Sequence, residues 1–327
     1  MKLPHRRQFL HLTAGAAALP ALSRIARAQA YPTAPVRVIV PFAPGGPTDV
    51  IGRLIAQKLS EHLGRQFFVE NIAGAGGNVG MGRAARAVAD GYTILVVGPN
   101  YVVNPALYEK LPYDPIKDFD PITVAVKTTV VLTVNPSLPV QTMKDLVALI
   151  RANPAKYSYA SGGIGTPGHL VGEQFRLSLG LDLVHVPYNS AGLAIGSAVA
   201  GHTPISFVAP APAVPQIKDG KLRALAVTSK TRTLALPDVA TMTEAGYPDI
   251  EFDNWLAVLA RARTPTAIIS LLNREIVKIV MLPDVKERLA TLGFEPVGNT
   301  PEQFVAQIRT ETEKWARIIR AAGIKAE

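Results

Sequence analysis

The chain has 327 residues, with 34 basic and 25 acidic side chains, 48% hydrophobic residues and no cysteine. That length supports two domains, each able to bury its own core, and the composition is that of an ordinary globular protein. The lack of cysteine excludes a disulfide framework and thiol chemistry, and the formal charge of +9 shrinks to +4 beyond residue 30, because residues 1–30 hold five basic residues and no acid.

Residues 1–30 read as a targeting segment. Arg6-Arg7-Gln8-Phe9-Leu10 is a twin-arginine signature, and the apolar run 10–22 behind it is interrupted by His11, Gly15 and Pro20. The run is shorter than the ~20 residues of a membrane helix. It leads to Ala28-Gln29-Ala30, an A-x-A cleavage site. The expectation is export to the periplasm, with cleavage near Ala30. The remaining chain has no cysteine for a lipid anchor, no spanning segment and no Lys/Arg run. It is therefore expected to be free of the membrane and of nucleic acid, and monomeric.

Strand and helix patterns then alternate. Val36–Val40 is a β-branched run, 48–63 has helical spacing, 67–69 is strand-like, 78–88 helical, and Thr93–Val97 a buried strand. This order predicts a parallel sheet with helices on both faces. A second set follows, with strands at 130–134, 157–160, 183–186, Ile205–Val208 and 224–228, and helices at 142–152, 166–179 and Ala191–Ala200. The proline-rich piece 210–215 reads as a loop, since prolines so spaced oppose a helix interior. Helices at 265–281 and Pro301–Ala322 close the chain. With no strand-rich unit of its own, this tail is expected to pack back on the first unit. The resulting domains are 31–126 plus 250–327, and 127–249, joined by crossings near 125–130 and 247–257.

Ligands of open α/β sheets bind off the carboxyl ends of strands, where helix N-termini present unpaired N–H groups to anions. Four loops occupy such places, at 41–49, 71–78, 161–168 and 187–192. Two lie in each unit, so a cleft between the units would be lined from both sides. The candidate ligand-binding residues are Phe42, Ala43, Gly45, Gly46, Thr48, Asp49, Gly76, Gly77, Asn78, Ser161, Gly163, Thr166, His169, Tyr188, Asn189 and Ser190. Gly45, Gly46, Gly76 and Gly77 are expected to take conformations or approaches that a Cβ would block. Asp49 has two readings, pairing with a ligand ammonium or stabilising the start of its helix. No arginine lies in any of the four loops, so a carboxylate there would rest on backbone N–H groups, hydroxyls, amides and water rather than on a bidentate clamp.

Other motifs lead nowhere. Gly163-Ile164-Gly165-Thr166-Pro167-Gly168 fits G-x-G-x-x-G, but Asp182 opens the next strand, whereas the ribose-binding acid belongs at its far end. His62, His169, His185 and His202 form no i, i+4 pair, so no metal or cofactor is expected. There is no G-x-S-x-G elbow, and a Ser161 pair with His169 or His185 has no triad order behind it. Trp255 and Trp315 read as core or interdomain aromatics, Trp315 on the packing face Phe304, Ile308, Trp315, Ile318, Ile319.

Residues 41–53 (PFAPGGPTDVIGR), 70–80 (ENIAGAGGNVG), 160–170 (ASGGIGTPGHL), 220–228 (GKLRALAVT), 236–246 (LPDVATMTEAG) and 315–325 together resemble the Bug-type receptors of tripartite tricarboxylate transporters. The likeness runs in order through essentially all of 31–327. It implies a periplasmic-binding-protein-like Venus flytrap of type II, two α/β domains with a hinge and a ligand cleft between them. It also implies a receptor, not an enzyme, that takes a di- or tricarboxylate, an acidic amino acid or an aromatic acid and delivers it to the membrane subunits of such a transporter. Loops equivalent to 41–49 and 74–78 would hold the carboxylate through backbone amides and water. Asn189-Ser190 stands where the family usually has Lys-Gly, and Pro204 where it often has an acid. Two other readings are an exported α/β hydrolase-like enzyme acting on a carboxylate, and a periplasmic sensor subunit for a signalling receptor.

Overall fold

The computed structural model describes residues 31–188 and 190–325. The targeting-segment reading of residues 1–30 lies outside them. The first run of elements is β1 (Val36–Val40), α1 (Pro47–Leu63), β2 (Phe67–Asn71), α2 (Asn78–Ala85), β3 (Thr93–Val97), α3 (Asn100–Leu107) and β4 (Phe119–Thr128). The second is β5 (Val131–Val134), α4 (Met143–Ala152), β6 (Ser158–Ser161), α5 (Pro167–Ser178), β7 (Val184–Pro187), α6 (Ala191–Ala200), β8 (Ile205–Val208), α7 (Pro210–Lys218) and β9 (Arg223–Val227). The tail adds β10 (Asn254–Arg261), α8 (Thr266–Val280), α9 (Pro283–Thr291), β11 (Glu295–Pro296) and α10 (Pro301–Ala322).

These strands make two sheets, ordered β11-β4-β10-β3-β1-β2 and β7-β6-β8-β5-β9. Each contains a parallel triplet, β2-β1-β3 and β7-β6-β8. All five residues of β3 are buried, as befits a strand covered on both faces. The sheets are mixed rather than parallel, which corrects the expectation from the βαβ order. β10 enters from the tail and runs antiparallel to both β3 and β4, and β5 runs antiparallel to β8 and β9.

Other segments also depart from the sequence reading. The second half of 247–257 is not a crossing but the start of β10. The proline-rich piece 210–215 is helical. Pro210 sits at the first position of α7, where its missing N–H has no partner to lose, and Pro215 gives up only the bond to the carbonyl four residues back. α3 also carries a proline, Pro105, in its last turn. The tail does pack back on the first sheet, with β10 and β11 within it and α10 against α3 and β4. Trp255 and Trp315 are each 1% exposed. Trp255 Nε1 donates to Glu311 Oε2 at 2.8 Å, and Trp315 packs edge-on against Phe252 at 5.2 Å between ring centres.

The chain passes between the sheets twice, at 129–130 and after β9, and the two passages are tied together. Thr129 Oγ1 accepts the N–H groups of Thr228 and Ser229, each at 3.0 Å. Thr228 Oγ1 accepts from Val130 N–H at 3.0 Å and donates to the Phe252 carbonyl at 2.7 Å. Both threonines are buried, so each of these polar groups needs the partner it has.

Candidate functional site

In each sheet the parallel triplet has its strand order reversed at the middle strand: the chain leaves β1 on one side for β2 and returns on the other for β3, and does the same around β6. The loops leaving those strands converge at such a switch point.

Loop 41–49 follows β1. Gly46 is the N-cap of α1, without a side-chain cap. Asp49, 3% exposed, reaches back instead: its Oδ2 accepts Gly45 N–H at 2.9 Å and Arg53 Nε at 3.0 Å, and its Oδ1 accepts Asn71 Nδ2 at 2.8 Å. Asn71 Nδ2 also donates to the Phe42 carbonyl at 3.0 Å, which ties this loop to the next. Burial alone would push the Asp49 carboxyl up. The hydrogen bonds from Arg53, Gly45 and Asn71, with the guanidinium charge, outweigh it and hold the pKa below the usual carboxylate range. Through these bonds Asp49 fixes the loop and the start of α1. Thr48 is buried beside it, and Phe42, Ala43 and Gly45 are at least partly open to solvent.

Loop 71–78 follows β2 and folds through a 3₁₀ turn at Ala75–Gly77. Gly76 and Gly77 have φ of +62° and +95°. A Cβ on Gly76 would lie 2.8 Å from the Tyr108 hydroxyl, and one on Gly77 3.0 Å from Met81 Cε and 3.2 Å from Phe42 Cζ. Gly45, with φ +87°, also needs its glycine, but Gly46 does not: its φ is −78° and the nearest atom to a Cβ would be 3.9 Å away. The expectation of four obligatory glycines is corrected to three. Asn78 is buried, and its Oδ1 accepts Asn104 Nδ2 at 2.7 Å and the Tyr113 hydroxyl at 3.3 Å.

Loop 161–168 follows β6 and rests on two stacked imidazoles. Ser161 Oγ pairs with His185 Nε2 at 2.7 Å and accepts Gly163 N–H at 3.2 Å. His169 Nδ1 accepts Gly165 N–H at 3.0 Å, and its ring lies 4.0 Å from that of His185. Thr166 Oγ1 donates to the Gly163 carbonyl at 2.7 Å. Burial lowers the His169 pKa to about 4, helped by Arg176, and lowers that of His185 to about 3, helped by His169. Unfolded imidazoles protonate near 6.5, so between about 4 and 6.5 the unfolded chain holds more protons and stability rises with pH. Denaturant titrations are expected to show roughly 2 kcal/mol lost per imidazole between pH 7 and pH 5, about 4 kcal/mol for the pair. A His185→Asn variant should lose less over the same interval; an identical slope in the variant would remove His185 from this account.

Loop 187–192 follows β7. Tyr188 N–H donates to the Ser161 carbonyl at 3.0 Å, and its hydroxyl is anchored on Ser197 and Thr203 at 2.5 and 2.8 Å. Ser190 is the N-cap of α6, accepting Leu193 N–H at 3.2 Å. Asn189 lies outside the described residues.

Loops 71–78 and 161–168 face each other. A cavity of about 150 Å³ between them is lined by Gly76, Asn100, Asn104, Leu107 and Tyr108 from the first-sheet side and by Ile164 and Gly165 from the second. Gly165 stands against Leu107, a Cβ on it lying 3.1 Å from Leu107 Cδ1. Of the sequence-predicted residues that the structure describes, Gly76 alone lines this cavity; loop 41–49 is tied to loop 71–78 through Asn71, and loop 187–192 to loop 161–168 through the Ser161 carbonyl. The sequence reading missed α3 with Asn100 and Asn104. The signal was present, because Asn100 follows the carboxyl end of β3, but that turn is not glycine-rich and Pro105 masks the helix.

The family model described as "Tripartite tricarboxylate transporter family receptor" matches residues 51–324. The chain belongs to that family. Protein BugT of Bordetella pertussis is 36% identical to this receptor over 300 residues, 91% of this chain and 92% of BugT. The solved structure of R. palustris Rpa4515 with adipate has a TM-score of 0.80 at 33% identity and covers 90% of this chain and 99% of that one. MatC (Rpa3494) from Rhodopseudomonas palustris with bound malate has a TM-score of 0.75 at 29% identity, over 88% of this chain and 100% of MatC. The receptor therefore has the two-lobed Venus-flytrap fold of solute-binding proteins, and as a member of this family it is a solute-binding receptor, not an enzyme. The Ser161–His185 pair agrees with that: Ser161 is fully buried, its hydroxyl engaged within its own loop. Glu173, the acid near the pair, is bound to Tyr159 at 2.9 Å and Arg176 at 2.6 Å.

Proposed function

We propose that the receptor is exported, captures a small carboxylate between its lobes and delivers it to the membrane subunits of a tripartite tricarboxylate-type transporter. The single observation that carries this reading is the cleft itself: loops 71–78 and 161–168, from opposite sheets, face one another across a cavity with no acidic or basic side chain in its lining. On this reading an anion there is held by polar groups of the lining rather than by a charged side chain. Adipate and malate in the related structures support a carboxylate as the solute. On this reading the lobes are 31–126 plus 250–327 and 127–249, the tied passages at Thr129 and Thr228 form the hinge, and a ligand bridging the loops favours the closed state. Twin-arginine export, cleavage near Ala30 and a monomeric mature protein belong to the same reading. Among the described residues, no helix is long and apolar enough to cross a membrane.

Native mass spectrometry of the protein recovered from a periplasmic fraction tests all of this together. The expected species is one copy of residues 31–327 carrying one small acid, and adding malate, succinate, adipate or citrate should displace or replace it. Retention of residues 1–30 would overturn cleavage near Ala30, and absence of the protein from the periplasmic fraction would overturn export. Failure to hold any carboxylate would overturn capture.

A further inference from the structure

We infer that the seam between α5 and α10, outside the cleft, sets how readily the lobes take up the binding arrangement, and that Lys314 is the positioning residue of that seam. This inference rests on the two-lobe reading above and adds a control that the ligand does not touch. α5 packs on β6, β7 and β8 of the second sheet, and α10 packs on α3 and β4 of the first. The two helices also meet each other. One end of their seam grips the second passage between the sheets. Gln174 of α5 donates through Nε2 to the Asp249 carbonyl, and Lys314 of α10 donates through Nζ to the Glu251 carbonyl at 2.8 Å. Two carbonyls two residues apart are thus held by one side chain from each helix. The Lys314 ammonium also stands over the Trp315 ring, 5.0 Å from its centre.

Beyond these grips the helices are loosely joined. A groove of about 470 Å³ is lined by Gln174 and Leu177 on α5 and by Lys314 and Ile318 on α10. A second hollow, of about 380 Å³, has Glu173 and Arg176 of α5 on one side and Ala322 and Lys325 at the end of α10 on the other. Ile164 lines this hollow and the interlobe cavity alike, so the seam runs from the passage toward the cleft. A close-packed helix pair would leave neither volume. Touching between two hollows, α5 and α10 have room to shift against each other, as a rotation of one lobe against the other requires. The direction of control follows from mass action. The seam contacts are made in the same arrangement that sets Gly165 against Leu107 across the cleft. A ligand that needs loops 71–78 and 161–168 together binds that arrangement, and its apparent affinity falls in proportion as the arrangement is less populated. Lys314 therefore tightens binding without touching the acid.

Calorimetric titration of the mature chain with malate, succinate, adipate and citrate, paired with small-angle scattering, tests this. Lys314→Met keeps the length of the side chain and drops the grip on Glu251. It should weaken whichever acid binds several-fold, up to about tenfold, with a ligand-saturated radius of gyration equal to that of wild type; Lys314→Arg should restore the affinity. The chain has no cysteine, so Leu177→Cys with Ile318→Cys allows the seam alone to be bridged by a short cleavable bis-maleimide. Bridging in the Lys314→Met background should bring back wild-type affinity, and cleaving the bridge should lose it again. A Lys314 that serves folding alone would lower the melting temperature in Lys314→Met and leave the affinity at that of wild type, which would overturn the inference. So would a bridge that fails to restore binding. Should Lys314→Met not fold, the bridge in the otherwise unchanged chain decides: binding no tighter, and a ligand-free radius no smaller, than after cleavage would overturn it. If no acid in the panel binds, carboxylate capture fails on its own, and the seam is judged by scattering: the ligand-free radius should be larger in Lys314→Met than in its bridged form, and equal radii would overturn the seam as well.

Discussion

Replacing Gly77 with valine is expected to weaken carboxylate binding about ten- to a hundredfold, the equivalent of losing one charge-assisted hydrogen bond. Gly77 has φ +95°, which a β-branched residue adopts only at a cost of order 1–3 kcal/mol. Its Cβ would also press on Phe42 Cζ at 3.2 Å and Met81 Cε at 3.0 Å, pushing loop 71–78 away from loop 41–49. The displaced segment carries Gly76, which lines the interlobe cavity, so the proposed site changes shape. Gly46→Ala is the control. With φ −78° and open space around its Cβ, Gly46 should accept alanine with affinity within about twofold of wild type. Circular dichroism on both variants checks the fold and calorimetry with malate, succinate, adipate and citrate checks binding. Wild-type affinity in Gly77→Val would remove loop 71–78 from the proposed site.

Asp49→Asn is expected to destabilise the protein by about 2 kcal/mol, more than a change from one N-terminal helix residue to another would suggest. Three donors converge on the two carboxylate oxygens, so either orientation of an asparagine amide sets its NH₂ against a donor. Asn71 cannot turn to compensate, since its own amide donates to the Phe42 carbonyl and accepts from Arg53 at 2.9 Å. The Arg53 side chain is 53% exposed, and water screens its share of the effect; most of the loss comes from the buried side. The pH dependence has a definite sign. Asp49's folded pKa is depressed, so its contribution is complete above the unfolded value near 3.9 and fades as pH falls through the folded one. Calorimetric melting at pH 7 should show the full deficit in Asp49→Asn, and the gap to wild type should narrow toward pH 3. A deficit that is the same at both pH values would mean that the ionised carboxylate is not what the loop depends on.

Much of this was legible in the residues, and the exceptions have physical causes. The parallel triplets were readable because continuous apolar runs such as 93–97 alternate with helical spacing, and the cleft loops because glycine, proline and asparagine punctuate them. Two things hid. β10 runs from 254 to 261 with burial on both faces, so it lacks the alternation that marks a half-buried strand, and its antiparallel partners lie more than a hundred residues away. The polar support beneath the site hid for a related reason. Asn71, Asn104, Tyr113 and His185 acquire their roles only when distant segments meet, and nothing in their neighbours' identity announces it. Asp49 was visible as an acid in the first turn of a helix, but its tie to Asn71, 22 positions on, is seen only in the fold.

The place of β10 also sets the order in which this protein comes into being. Residues 131–227 contain every strand of the second sheet, so that sheet can close as soon as the ribosome has released them. The first sheet cannot. Its N-terminal strands are made early, yet β3 and β4 wait with bare edges for a strand some 130 to 160 residues downstream that must slide in between them. Long-range pairing of that kind is slow, and it makes the last-synthesised quarter of the chain the keystone of the first-synthesised lobe. A truncated chain thus yields a finished second lobe beside an open, adhesive half-sheet, and chaperones that shield nascent edges have their longest watch over the strands nearest the start.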